Sequence, residues 1–91
     1  MKRVEIIANQ SVEQDIRDAL AVRNVAQAHT AFHGVHGEGH SGPRRGDSTW
    51  PEENFVLVVY CEDPEANAIC EAVAETKAQF PAEGIRVFTT G

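Results

Sequence analysis

The feature that most constrains the fold is the continuous apolar run from Phe55 to Cys61. The run is too short and too rich in β-branched residues for a helix, so it predicts a strand. Both of its alternating sets of side chains are apolar, which is typical of a strand that is covered on both faces. A chain of 91 residues is expected to have one core only, so its own helices can cover one of these faces. We therefore expect other subunits to cover the second face.

Other elements are predicted on both sides of this strand. Ser11 followed by Gln14 fits a capping box, and Asp63 followed by Pro64 fits a helix that begins with a polar cap and a proline. The predicted elements are strands over 2–8, 25–32 and 85–89, a helix that begins at Ser11, and a helix from Asp63 that ends at Phe80. The order strand, helix, strand, strand, helix, strand predicts an α+β ferredoxin-like βαββαβ fold. In it, a four-stranded antiparallel sheet carries both helices on one face, with the first and third strands central.

Composition limits the function classes. Residues 1–91 are expected to form a single domain, and 14 acidic residues against 8 basic ones argue against a nucleic-acid partner. Glu5 interrupts the apolar start of the chain, so we expect no membrane insertion and a cytoplasmic location. Cys61 and Cys70 are expected to be buried thiols. No set of nucleophile, base and orienting group is visible, so an enzyme is not expected.

A long glycine- and histidine-rich segment, residues 33–54, separates the second and third strands. Hairpin loops usually have about 2–5 residues, and longer loops in compact domains are often functional. Its glycines allow a ligand to approach the backbone, and Arg44 and Arg45 match phosphate or carboxylate oxygens. The segment therefore predicts a site for a nucleotide phosphate or another small anion. The alternative is a solvated loop whose arginines pair with its own carboxylates.

The histidines in this segment suggest a second kind of site. His33, His36 and His40 have a spacing that a loop could fold around one divalent transition-metal ion. In the alternative interpretation, His33 lies at the end of a strand.

Three segments together resemble the PII-like signalling proteins, in particular the divergent short members. They are the start Met1–Ile7, the stretch Val35–Pro43 as the base of a T-loop, and the strand Phe55–Tyr60. The resemblance implies a homotrimer with adenine nucleotides in the clefts between subunits, and a T-loop that docks on a target transporter, channel or enzyme. The small-molecule ligand would contact residues of the loop: Gly37, Gly39, His40, Ser41, Gly42, Arg44 and Arg45.

The same architecture is similar to the CutA-like proteins, which are trimers associated with tolerance of divalent metals, and to PII-like proteins linked to metal efflux. Two hypotheses therefore stand side by side: a sensor of a small anionic effector, and a metal-binding module that uses His33, His36 and His40. A third is an interaction protein whose loop becomes ordered only on its partner.

Overall fold

A computed structural model describes residues 1–37 and 53–91 of the chain. The ferredoxin-like prediction is confirmed: one antiparallel sheet has the strand order β2-β3-β1-β4, so the first and third strands are central. In chain order the elements are β1 (Lys2–Asn9), a short 3₁₀ helix (Gln10–Val12), α1 (Glu13–Val22), β2 (Thr30–Val35), β3 (Asn54–Cys61), α2 (Asp63–Gln79) and β4 (Ile85–Thr90).

The core lies between the helices and one face of the sheet. In the antiparallel register of β1 and β3, Val4 faces Val59 and Ile6 faces Leu57, and all four side chains are buried. Helix α1 contributes one apolar stripe at helical spacing, and α2 contributes a second one. The buried apolar helix residues are Val12 from the 3₁₀ helix, Ile16 and Leu20 from α1, and Ala66, Ile69, Ala72 and Val73 from α2.

The other face of the sheet carries apolar side chains that no helix of residues 1–37 and 53–91 covers, and we call it the open face. Three aromatic residues on it are large and exposed: Phe32 (53%), Tyr60 (61%) and Phe88 (47%). Val58 lies among them and is nevertheless buried by its neighbours on the sheet. The Arg3 guanidinium donates a hydrogen bond of 3.0 Å to the Tyr60 hydroxyl and lies over its ring. The prediction that β3 is apolar on both faces, with the helices on one of them, is confirmed.

Both predicted helix starts differ in detail from the structure. The Asn9 side chain, and not that of Ser11, caps the first helical segment by accepting the Ser11 backbone N–H at 2.9 Å. Gln14 donates to Asp18 on the same helix instead of completing a capping box. Helix α2 takes Glu62 as its N-cap, one residue before Asp63, and no side chain caps it. An asparagine that ends a strand can accept a following N–H, which explains why Asn9 acts as the cap.

Strand β2 begins at Thr30, later than the Val25 expected from the sequence. The preceding connection turns at Asn24 and Ala26, which have positive φ angles of 57° and 58° and so cannot belong to a strand. The Ala26 N–H donates to the Glu65 carboxylate on α2 at 2.8 Å, which holds this connection against the second helix.

Within residues 1–37 and 53–91, no helix is both long enough and apolar enough to cross a membrane.

Candidate functional site

The candidate site lies at the end of the sheet where β2 leads into the segment predicted to bind ligand. Two backbone hydrogen bonds fix the neighbouring chain segments there. The Gln10 N–H donates to the Glu53 carbonyl at 2.9 Å, and the Asn9 N–H donates to the Gly84 carbonyl at 3.0 Å. The end of β1, the start of β3 and the turn before β4 therefore form one connected frame.

A β-bulge shapes the end of β2. Phe32 pairs with Val56 and Val35 pairs with Asn54, so His33 and Gly34 stand opposite the single residue Phe55. Gly34 has a φ of +68°, a conformation that glycine adopts without the steric cost of a Cβ. His33 lies on the helix side by ordinary alternation from Ala31. Because the bulge adds one residue after it, Val35 lies on the open face beside Asn54.

His33 is held on the helix side by two contacts. Its ring stacks on that of Phe55 with centroids 6.5 Å apart. Its Nε2 donates to the Glu13 carboxylate at 2.8 Å, and the same oxygen accepts from the Arg17 Nε at 2.9 Å. The start of α1 is thereby tied to the last residues of β2 before the loop.

Glu13 remains ionised in this arrangement. Burial is the largest single influence and raises the pKa of its carboxyl, but the hydrogen bonds and positive charges of His33 and Arg17 together outweigh it. The net result is a pKa below the ordinary value for glutamate. The carboxylate is therefore the preferred form over the neutral pH range.

Of the predicted ligand-binding residues, Gly37 lies in the described part of the chain, two residues after the end of β2. A side chain at Gly37 would meet its nearest neighbour, the Asn54 amide nitrogen, at 4.0 Å, so the space beside its backbone is open. The remaining predicted residues fall outside the described ranges: Gly39, His40, Ser41, Gly42, Arg44 and Arg45.

The predicted metal ligands are only partly described. His33 is engaged by Glu13, His36 lies 4.0 Å from the Glu53 carboxylate, and His40 lies outside the described ranges. In the part of the chain that is described, no three His, Cys, Asp or Glu side chains come together as a metal site. The metal site therefore stays a prediction.

The cysteines add nothing to a metal site at this end of the sheet. Cys61 is buried as predicted, whereas Cys70 is only half-buried. Burial and then the nearby acidic groups, Glu65 first among them, raise the pKa of the Cys61 thiol, which disfavours the thiolate that binds metals.

Sequence reasoning missed Glu13 and Arg17 as part of this end of the molecule. Their four-residue spacing is a visible signal for an ion pair on one helix face. Nothing in the sequence indicates that the same carboxylate also binds a histidine twenty residues away.

A comparison with known protein families shows to which family this chain is related. Residues 1–90 match the family model described as nitrogen regulatory protein P-II. The chain belongs to this family. P-II proteins are regulatory signalling proteins, and the four-stranded sheet with two helices is the P-II fold.

Solved structures with the same fold include two PII-like proteins. One is CPII from Thiomonas intermedia K12 bound to ADP, AMP and bicarbonate, with a TM-score of 0.73 and 19% identity. The match covers 98% of this chain and 82% of CPII. The other is a PII-like signalling protein from Thermus thermophilus, with a TM-score of 0.67 and 25% identity over 98% of this chain and 83% of that one. No curated protein matches the chain.

Proposed function

We propose that this P-II protein is a small trimeric sensor that binds an adenine nucleotide or another small anion in the clefts between subunits, at the loop end of β2. The effector would change how the 33–54 segment acts on a target protein, a transporter or an enzyme. In this proposal the protein works in the cytoplasm as a regulator and has no catalytic activity of its own.

The observation that carries the proposal is the construction of the loop end of the sheet. The backbone hydrogen bond from Gln10 to Glu53 and the pairing of Val35 with Asn54 hold both ends of the long segment between β2 and β3 against the body of the protein. Gly37 leaves open space at this frame, and the loop sequence supplies Arg44 and Arg45 for phosphate oxygens. The solved structure of CPII, which shares the fold, is bound to ADP, AMP and bicarbonate.

The open face supports the trimer. Phe32, Tyr60 and Phe88 expose about half or more of their surface on a sheet that otherwise belongs to the core. An exposed group of large apolar side chains of this kind marks an interface more often than a free surface. We place the contacts between subunits on this face because the two helices of the described part of the chain cover only the other one.

A thermal unfolding screen tests the effector. The metal-free protein is heated with AMP, ADP, ATP, cyclic nucleotides, bicarbonate, Zn²⁺, Cu²⁺, Ni²⁺ or Co²⁺. A ligand that binds only the native state stabilises it by about 2.7 kcal/mol at one hundred times its dissociation constant, which is a readily measured shift. A shift with a nucleotide or bicarbonate supports the proposal. A shift with metals alone would overturn it in favour of the metal-binding hypothesis.

Paired variants then assign the residues. The double substitution Arg44→Ala with Arg45→Ala should abolish the nucleotide shift, whereas His36→Ala, which removes a predicted metal ligand only, should leave it in place. Lys77→Ala is the matched control, because Lys77 is an exposed cation near the end of α2 and is not among the predicted ligands. Loss of the nucleotide shift in the control would mean that overall charge, and not the loop arginines, governs binding.

A further inference from the structure

A chain of polar contacts runs along α1 and joins the two ends of β2. At the loop end, one oxygen of the Glu13 carboxylate accepts from His33 Nε2 at 2.8 Å and from Arg17 Nε at 2.9 Å. The Glu13 side chain is only 18% exposed, so water competes weakly for these bonds. Glu13 therefore links the end of β2 to the first turns of α1.

Arg17 extends this series of polar contacts toward the other end of β2. Its Nη1 lies 3.2 Å from His29 Nε2, and His29 Nδ1 lies 2.9 Å from the Ala26 carbonyl oxygen. A carbonyl can only accept, so His29 Nδ1 carries the proton and Nε2 of the neutral ring accepts from Arg17. The contacts thus end in the connection between α1 and β2.

The connection between α1 and β2 has a fixed backbone conformation at Ala26, and this conformation depends on the polar contacts that Ala26 makes. Ala26 holds a φ of +58°, which costs a residue with a Cβ about 1–2 kcal/mol. The conformation is maintained by its surroundings: the Ala26 N–H binds Glu65 on α2, and its carbonyl binds His29. Losing one of these supports should favour opening of the connection.

His33 lies on the helix side of β2 by the ordinary alternation of the strand, as Ala31 does, and from there it reaches Glu13 at the start of α1. His29 precedes the first residue of β2 and His33 is the fourth residue of the strand, so the two histidines are four residues apart, about 13 Å along an extended chain. Within the described residues no hydrogen bond joins them directly, so coupling between them passes through Glu13 and Arg17 or through the sheet.

We propose that Glu13 and Arg17 couple the two ends of β2, so that a disturbance of His33 loosens the connection at Ala26 and a disturbance of His29 loosens the loop end. This inference goes beyond ligand binding, because it concerns the protein without effector. Its test needs no nucleotide, so its failure is separate from failure of the proposed function.

Hydrogen exchange of backbone amides measures the coupling. In His33→Ala, exchange of amides 26–30 should accelerate about fivefold, the change expected for one lost hydrogen bond of ordinary net strength. His33→Gln retains an N–H donor for Glu13 and should restore most of the protection. Reciprocally, His29→Ala should accelerate exchange of amides 33–36, since coupling between two sites acts equally in both directions.

A matched control separates coupling from general loosening. Asp18→Asn removes a carboxylate that accepts from Gln14 on the same helix, four residues apart like Glu13 and Arg17 but outside the chain of contacts. It should leave amides 26–30 and 33–36 unchanged. The proposal is overturned if each histidine substitution affects only its own end. It is also overturned if exchange rises equally in β1 and β3, or if the control produces the same effect.

Discussion

Replacing Phe32 on the open face should dissociate the proposed trimer without unfolding the subunit. A phenylalanine presents on the order of 200 Å² of surface, so the 53% exposed Phe32 leaves roughly 100 Å² for an interface. At about 25 cal/mol per Å², covering this area contributes about 2.5 kcal/mol per subunit. Phe32→Thr keeps a residue that favours strands and removes most of that contribution. Over three subunits the loss is about 6 kcal/mol, or roughly four orders of magnitude in the association constant.

Sedimentation or light scattering of the wild type and variant provides the assay. The wild type should have about three times the 9.9 kDa mass of one chain at micromolar concentration, and Phe32→Thr should shift toward one chain. Val22→Thr is the control, because Val22 is 85% exposed at the end of α1, on the helix side. A monomeric wild type would refute the reasoning, as would a variant whose mass is unchanged. Circular dichroism checks that the variant remains folded.

Three further predictions concern stability, each measured by chemical denaturation. Ile69→Ala in the fully buried core should cost about 2–5 kcal/mol, and a loss below about 1 kcal/mol would contradict the packing described. Gly34→Ala should cost about 1–2 kcal/mol from its positive φ alone, since its Cβ meets open space, whereas Gly84→Ala should cost less. Because folding lowers the pKa of Glu13, its ionised carboxylate stabilises the folded protein at pH values above the pKa it has in the unfolded chain. This stabilisation is lost as pH falls through the pKa of Glu13 in the folded protein. The stability difference between wild type and Glu13→Gln should therefore shrink on acidification, and a difference independent of pH would contradict it.

The fold was largely predictable because its strongest signals are local. The apolar run at Phe55–Cys61 could only be a strand, and the spacing of Val12, Ile16 and Leu20 could only be one face of a helix. The two apolar sets in β3 also correctly indicated that the helices leave one sheet face open. Phe32, Tyr60 and Phe88 now identify which side chains that face presents.

The predicted start of β2 at Val25 was wrong, and the physical reason is a long-range contact. Val25 and Ala26 look compatible with a strand by composition, but tertiary contacts override this, as Ala26 takes a positive φ and binds Glu65 on a helix that follows much later in the chain. The sequence offers no signal for that long-range contact. The predicted cap of the first helical segment was wrong for a related reason. Asn9 ends a strand, so the sequence favoured Ser11 as the cap, whereas Asn9 accepts the Ser11 N–H in the structure.

The position of the long segment between β2 and β3 was predictable, but the contacts beside it were not. The excess length between the second and third strands indicated this segment, and the binding of a ligand there stays a prediction. Gly34, however, serves a bulge within β2, and His33 is bound by Glu13. Alternation places His33 on the helix side of β2, but it does not indicate which residue of α1 the side chain meets, so the contact with Glu13 could not be predicted.

Calorimetric titration with AMP, ADP and ATP tests the central claim most directly. We expect saturable binding of at least one adenine nucleotide by the wild-type protein, and loss of that binding in the Arg44→Ala, Arg45→Ala double variant. Absence of binding at millimolar nucleotide, or equal affinity in the double variant, would contradict a nucleotide site at this end of the sheet.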